Sequence, residues 1–481
     1  MSRLALSSRI KLFARKKRNK QIITDTMANE IIVGLDIGTT KIACFVGMRG
    51  ENGKVKILGF GKTESIGVEH GVVRGITQTA ESITKAVNEA ADQANVDIDE
   101  VWVGIAGQHI KSNPSHGSIM IPPDHTLIEQ EDVERLIAEQ YNIQLPPGEE
   151  IIHVFPQQYI VDREPLSRDI PPVGVAGKSL EADFHMVTAN VQNLQYIKYA
   201  VEHAGLKIKG VVLEPIASAK AVLDDSDRDA GVAMVDIGGG TTDIAVFHDG
   251  IIRHTSVLPL AGNAITNDIR EGCNILKKQA ESLKVKFGSC LVQAVSENDV
   301  ISIPGIRSQA PREIYVKTLA GIIHARAKMI MEQVDYEIKL SGYHKKLIAG
   351  VVLTGGGAQL KNIKELCELM TTTDTRIGIP NEHLDPESVS YADLAHPMYA
   401  TGIGLVLYGL EKTENPHQET EEEDVQDNGR IDIFADMNAE AAVETESKPE
   451  EKIKEKKGKG RGFDKILGSF LDNMFKETID E

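Results

Sequence analysis

The feature that most limits what this chain can fold into is a short pattern that occurs twice. An apolar run, Ile31-Ile32-Val33-Gly34-Leu35, leads into Asp36-Ile37-Gly38-Thr39-Thr40-Lys41, and a second apolar run, Ile42 to Val46, follows. About two hundred residues later Gly231-Val232-Ala233-Met234-Val235 leads into Asp236-Ile237-Gly238-Gly239-Gly240-Thr241-Thr242-Asp243, with Ile244 to Phe247 behind it. Short apolar runs bounded by glycine turns read as buried strands. Two copies of strand, Asp-x-Gly turn and strand predict two halves of similar fold. Helical spacing at Thr77 to Asn95, Val191 to Ala204 and Ile216 to Leu223 makes the class α/β.

The two turns have a chemistry that suits phosphate. Glycines at Gly38 and at Gly238, Gly239 and Gly240 let backbone approach a phosphate closely and aim N–H groups at it. The hydroxyls of Thr39, Thr40, Thr241 and Thr242 can donate further hydrogen bonds, and Lys41 at the end of the first turn joins this set. The carboxylates of Asp36 and Asp236 cannot touch phosphate directly. They imply an intervening Mg2+ held through water. One such turn is weak evidence; two, from matching halves, form a constellation. A third glycine cluster, Thr354-Gly355-Gly356-Gly357-Ala358, follows the strand-like run Leu347 to Leu353 and offers exposed backbone to a nucleoside, or simply a packed strand-to-helix turn.

The rest of the chain is organised around these turns. The segments are a basic N-terminal extension over 1–28 and a first half over 29–110 that continues over 190–227. An α+β insertion over 111–189 divides it, with a helix from Glu129 and strands at Ile151–Phe155 and Asp183–Thr188. The second half spans 228–265 and 341–410 and is divided by an insertion over 266–340, with helices near Asn267–Phe287 and Ile314–Gln333. The extension is either a disordered leader ahead of a start at Met27 or a basic contact for anionic lipid. Residues 411–461 form a tether, acidic to Glu451 and then lysine-rich, whose composition predicts disorder.

A formal net charge of −18 argues against nucleic acid as a partner, because phosphate attraction needs a basic footprint. The four cysteines, Cys44, Cys273, Cys290 and Cys367, form no CxxC pair and read as buried thiols in a reducing compartment. No apolar run reaches the ~20 residues of a spanning helix.

In this order the motifs resemble the actin, sugar-kinase and DnaK-chaperone superfamily, over about Glu30 to Leu410. The resemblance implies an actin-like two-lobed fold that binds ATP with Mg2+. The Asp36 and Asp236 turns become the two phosphate loops, and Gly355 to Gly357 the adenosine loop. Glu214, in Glu214-Pro215-Ile216-Ala217, matches the connecting segment whose carboxylate faces metal and water, so Glu214 and Asp236 take the catalytic positions. Glu281 and Lys284, in Ala280-Glu281-Ser282-Leu283-Lys284, match residues that hold ribose and adenine.

The last twenty residues, 462–481, recover a helical period. Phe463, Ile466, Leu467, Phe470, Leu471, Met474 and Phe475 share one face, and Asp464, Lys465, Ser469, Asp472 and Lys476 fill the other. Beside a lysine-rich linker, this pattern suits a helix lying in an anionic membrane interface, where each nearby basic residue contributes roughly 1 kcal/mol. Several copies joined in a filament would bind far more firmly than one.

An actin-like ATP site with such a tail resembles the FtsA family of bacterial cell-division proteins. Gly104-Ile105-Ala106-Gly107-Gln108-His109-Ile110-Lys111 followed by Asn113 to Ile121 looks like the start of that family's inserted subdomain, 1C. Membership implies self-association into filaments and recruitment of later division proteins. It also implies binding of the C-terminal peptide of FtsZ at the second-half insertion, called 2B, and location on the cytoplasmic face of the inner membrane at the septum. Arg312, then Arg307, are the candidates to meet that peptide. ATP would be mainly a structural and polymerisation ligand, with at most weak hydrolysis. The competing readings are a small-molecule kinase, which lacks a candidate general base beyond the phosphate-site acids, and a pilus-assembly-type actin-like ATPase.

The terminal helix gives the first prediction. Replacing Phe470 and Leu471 by Asp puts two charges at the acyl boundary, at a desolvation cost of several kcal/mol. Vesicle co-sedimentation should fall to background while the thermal melt stays unchanged. A melt lower by many degrees would mean that the helix docks on its own protein instead.

Overall fold

The computed structural model describes residues 30–414 except 125, 168 and 305–310. The seven residues expected at the membrane, Arg307 and the tether beyond 414 therefore lie outside the described residues.

The first half opens with an antiparallel meander, β1 (Ile32–Ile37), β2 (Lys41–Arg49) and β3 (Val55–Glu64). A small hairpin, β4 (Val68–Glu69) and β5 (Val72–Val73), precedes helix α1 (Ile76–Ala94), and β6 (Glu100–Ile105) then pairs parallel to β1. Between β6 and its neighbour comes a separate sheet. It consists of β7 (Lys111–Met120), helix α2 (Gln130–Tyr141), β8 (Glu149–Val161), β9 (Glu164–Pro165) and β10 (Ser179–Asn190), in the order β7-β10-β8-β9. The chain then returns through α3 (Val191–His203) to β11 (Lys207–Leu213), which completes the first sheet as β11-β6-β1-β2-β3. The strands of the inserted sheet are longer than the sequence suggests, because polar residues alternate along them and hide their ends.

Helices α4 (Glu214–Val222) and α5 (Asp225–Ala230) lead to a second meander, β12 (Val232–Ile237), β13 (Thr242–His248) and β14 (Ile251–Leu258). Helices α6 (Gly262–Cys273) and α7 (Lys277–Phe287), the hairpin β15 (Val300–Ile303) and β16 (Arg312–Tyr315), and helix α8 (Val316–Leu340) follow. The half closes with β17 (Gly350–Thr354), α9 (Ile363–Thr371), β18 (Thr375–Ile377), α10 (Tyr391–Leu394) and α11 (Ala400–Glu414). Its sheet runs β14-β13-β12-β17-β18. From the meander outward, this is the order of the first sheet again: three antiparallel strands, then two parallel ones. The duplicated motif is thus a duplicated sheet, and the fold is the mixed α/β, actin-like one.

Two local expectations are corrected. The helix expected over Asn267–Phe287 is two helices, broken where Asn274 takes the left-handed conformation (φ 49°) that ends α6. Ile314 is a strand residue whose buried side chain faces the core, and the helix begins two residues later and runs on to Leu340.

The halves share a core. Helices α4 and α11 lie between the two sheets, with Ala217, Ala221, Leu405 and Val406 fully buried against Phe45, Met234 and Val352. The apolar run Ile403 to Leu410, too short to span a membrane, is this central helix. Small residues let the two helices touch, and a Cβ added at Gly404 would lie 1.8 Å from the Ala217 carbonyl oxygen. Gly404→Ala should therefore destabilise the protein. Alanine gains up to ~1 kcal/mol in helix propensity, but overpacking against fixed backbone costs ~1–3 kcal/mol. A net loss on the order of 1–2 kcal/mol by chemical denaturation is expected, and a stabilised variant would show that the helices are not in this contact.

Candidate functional site

Both Asp-x-Gly turns are the tips of antiparallel hairpins, and the hairpins face each other. In the first, Ile37 pairs with Ile42 and Asp36 with Ala43; in the second, Ile237 pairs with Thr242 and Asp236 with Asp243. The Gly238 N–H donates to the Thr241 carbonyl at 2.9 Å and closes the second turn. The turns approach so closely that side chains at the second are excluded. A Cβ at Gly239 would lie 1.8 Å from Thr40 Oγ1, and one at Gly240 2.4 Å from Thr39 Oγ1. Between and beneath them opens a cleft of about 890 Å3. Every nucleotide-site residue expected from the sequence lines it except Thr242, including Gly355, Gly356, Gly357, Glu281 and Lys284.

Thr242 is the correction. Successive residues of a strand face opposite sides, so with Asp243 toward the cleft, Thr242 points away. It is fully buried and its hydroxyl donates to the Leu260 carbonyl at 2.7 Å. The Thr241 hydroxyl is likewise engaged, donating to Asp243 Oδ2 at 2.9 Å. Lys284 donates to the Gly262 carbonyl at 3.0 Å and to Thr266 Oγ1 at 2.8 Å, and pairs with Glu281 at 2.8 Å. Its ammonium thereby ties α7 to the start of α6 and fixes Glu281 at the cleft wall.

The charges at the cleft floor are unbalanced. Asp36 pairs with Lys41 Nζ at 2.6 Å. Asp236 accepts from Ser218 at 2.7 Å and Thr401 at 3.2 Å, hydroxyls supplied by the connecting helices α4 and α11. Asp243 is 2 % exposed, and its second oxygen, Oδ1, has no hydrogen-bond partner. Glu214 completes the group. Burial raises the Asp236 carboxyl above its ordinary range, and the Ser218 hydrogen bond only partly counters this. Asp243 is raised well above it, by burial and then by Asp236. So is Glu214, by burial first and then by Asp36, Asp243 and Asp236. Burial opposes the charge on Lys41, but Asp36, joined by Asp236 and Glu214, more than offsets it and holds the ammonium above the usual lysine range.

Such a floor suits a hard cation with oxygen ligands. Among the described residues no group of three or more His, Cys, Asp or Glu side chains could hold a metal by itself. A cation there would need ligand oxygens and water as well, which is the arrangement expected for Asp36 and Asp236.

The sequence reading missed Asp243, Ser218, Thr401 and Asn263. Hairpin register could have found the first, since residues directly opposite share a face. Asn263 lines the cleft, and its N–H donates to the Gly239 carbonyl at 2.8 Å, so the start of α6 supports the second turn. Arg312, expected to meet a partner peptide, instead has its guanidinium on the Cys273 and Asn274 carbonyls at 2.8 and 2.7 Å, where it caps the end of α6.

Comparison with known proteins agrees with this architecture. The family model described as "Cell division protein FtsA" matches residues 233–404, "SHS2 domain inserted in FTSA" matches 107–188, and "Hsp70 protein" matches 190–256. The cell division protein FtsA of Pseudomonas aeruginosa is 36% identical over 390 residues, 81% of this chain and 92% of that protein. The FtsA of Escherichia coli K12 is 33% identical over 400 residues, 82% and 93% of the two chains. A chain in the structure of the PilM-PilN type IV pilus biogenesis complex superposes with a TM-score of 0.58 at 15% identity, covering 79% of this chain and 98% of that one.

The charge imbalance predicts a pH effect in ligand-free protein. A carboxyl that holds its proton more tightly in the folded chain contributes stability that is fully present below its unfolded value and is lost as pH rises through the raised one. Each tenfold gain in proton affinity is worth about 1.4 kcal/mol. Glu214→Gln cannot ionise. In EDTA it should melt higher than wild type at neutral pH, with the gap closing toward pH 4.5, the group's ordinary value. A variant less stable at every pH would contradict this account.

Proposed function

The chain belongs to the FtsA family of cell division proteins, and from that premise we propose that it binds ATP with Mg2+ in the cleft and tethers FtsZ filaments to the inner membrane at the division septum. The observation that carries the nucleotide reading is the facing pair of glycine turns above a floor of carboxylates. Backbone N–H groups of residues 38–40 and of Gly239 and Gly240, with the hydroxyls of the first turn, would hold the phosphates. Asp36 and Asp236 would hold Mg2+, whose positive charge would offset that of the phosphates and the carboxylates. Ser218 and Thr401 orient Asp236 and favour its ionised form against the effect of burial, and Glu214 is placed to hold a proton or water beside it. Glu281, Lys284 and Gly355 to Gly357 receive the nucleoside.

ATP acts here chiefly to hold the two halves in one arrangement that can polymerise, with hydrolysis slow. The helix over 462–481 would bring each subunit to the membrane as a peripheral protein. No helix among the described residues is long and apolar enough to cross one. The second-half insertion would receive the FtsZ C-terminal peptide, and the filament would recruit later division proteins. Arg307 and Arg312 remain the proposed contacts. Because Arg312 caps α6, its charge reversal must be judged beside a melting curve. The likeness to the pilus protein is one of fold alone and carries no pilus role.

The direct test is Asp236→Ala. ATP affinity by calorimetry should fall at least about tenfold, or about 1.4 kcal/mol, with the vesicle binding of the full chain retained. Unchanged affinity would remove Asp236 from the site and the metal reading with it.

A further inference from the structure

The inserted sheet is joined covalently to the first half only, since the chain leaves β6 and returns through α3 to β11. Yet a row of its buried and part-buried polar contacts is with the second half. Ser112 Oγ on β7 donates to the Thr255 carbonyl at 2.8 Å, and His185 Nε2 on β10 lies 3.0 Å from Thr255 Oγ1. Gln157 on β8 donates to the Ile252 carbonyl at 2.8 Å and accepts from Arg253 at 3.0 Å through its own carbonyl. Thr255 and His185 are 4% and 6% exposed. These second-half partners all lie on β14, the edge strand of that sheet. Adjacent His254 turns to the other side and meets Glu337 of α8 at 2.9 Å. The seam is therefore built into the second half from both faces of β14.

The covalent entry into the insertion is built differently. Gly107 takes a positive φ of 130°, and neither ring nitrogen of His109, although shielded from solvent, has a hydrogen-bond partner. Burial, then Arg74, lowers this imidazole to about 4 and keeps it neutral. The segment abuts the site, for Ala106 lines the cleft. Polar groups left unpaired away from water mark a segment that gives up little by rearranging. On the first-half side, the Leu213 N–H reaches His153 Nε2 only at 3.4 Å.

We propose that the inserted subdomain is a lever driven by the second half: the β14 seam carries it, and it pivots on the first half at Gly107–His109. Relative rotation of the halves about α4 and α11 must either break the seam or swing the insertion, and the pivot is the weaker joint. Occupation of the cleft would then displace the insertion's far end without any ligand touching it, which is coupling between distinct sites through a two-state element. The inference rests on the nucleotide reading for its input.

The test uses the full chain with a spin label at Glu164→Cys on β9 and another at Asn52→Cys in the first half, both exposed positions. The four natural cysteines are buried. Distances are measured by pulsed electron resonance with and without a non-hydrolysable ATP analogue and Mg2+, and binding is read separately by calorimetry. The label distance should shift on binding in wild type and lose the shift in Thr255→Val, with analogue affinity retained. Ser112→Ala, which leaves Thr255 in place, should reduce the shift and serves if Thr255→Val does not fold. Binding without a shift, or an undiminished shift in both variants, overturns the lever. Absence of binding overturns the nucleotide reading and removes the lever's input with it.

Discussion

Asp36, Asp236, Asp243 and Glu214 crowd the floor of one cleft, and Lys41 is the ammonium placed among them. Burial and like charge raise the proton affinity of Asp236, Asp243 and Glu214, and so oppose the folded state at neutral pH unless protons or cations collect there. Much of the surrounding structure serves to keep this group in place. Helix α4 brings Glu214 and Ser218, helix α11 brings Thr401, and the two pack through Gly404 closely enough for both hydroxyls to reach one Asp236 oxygen. The glycine turns close the roof at a distance that no side chain at 239 or 240 would permit. A site that holds its carboxylates in excess is poised for a cation that arrives with an anionic ligand.

Duplication explains the frame and its asymmetry. Both sheets place an Asp at the end of the central strand, beside the turn, so two copies facing one another put two carboxylates and two sets of N–H groups on either side of a gap. The copies then diverge. Opposite its Asp the first hairpin has Ala43 and the second has Asp243, which loads the second half with the extra acid. Each half also accepts an insertion at a different point, the first between β6 and β11, the second between α6 and β17. The second insertion carries the surface on which a partner peptide is proposed to act, while the cleft stays common to both halves.

How much of this was legible in the sequence follows from how local each feature is. Strand, turn and strand are local, so both Asp-x-Gly turns and the repeated sheet were legible. So was the inserted subdomain, though not the length of its strands. Thr242 was misassigned because a motif is linear while a pleat alternates, and one residue of register sends a hydroxyl to the opposite face. Ser218 and Thr401 are far apart in sequence and met only in space. The break at Asn274 was hidden because no proline marks it and apolar residues, Ile269, Ile275 and Leu276, continue on both sides, and the capping role of Arg312 depends on a helix end that the periodicity ran through. In each case the missing information was tertiary.

The central claim is that the cleft binds a nucleoside triphosphate through a divalent cation, and thermal melting tests it directly. A ligand that binds only the folded state raises stability by RT ln(1 + [L]/Kd), about 2.7 kcal/mol at a hundredfold excess over Kd. Melts of the wild-type chain should be compared with ATP and Mg2+, ATP and EDTA, Mg2+ alone, and buffer. The account predicts a clear rise with ATP and Mg2+ together and a much smaller one when either is withheld. Equal melting temperatures in all four, or a rise with ATP that EDTA leaves intact, would contradict it.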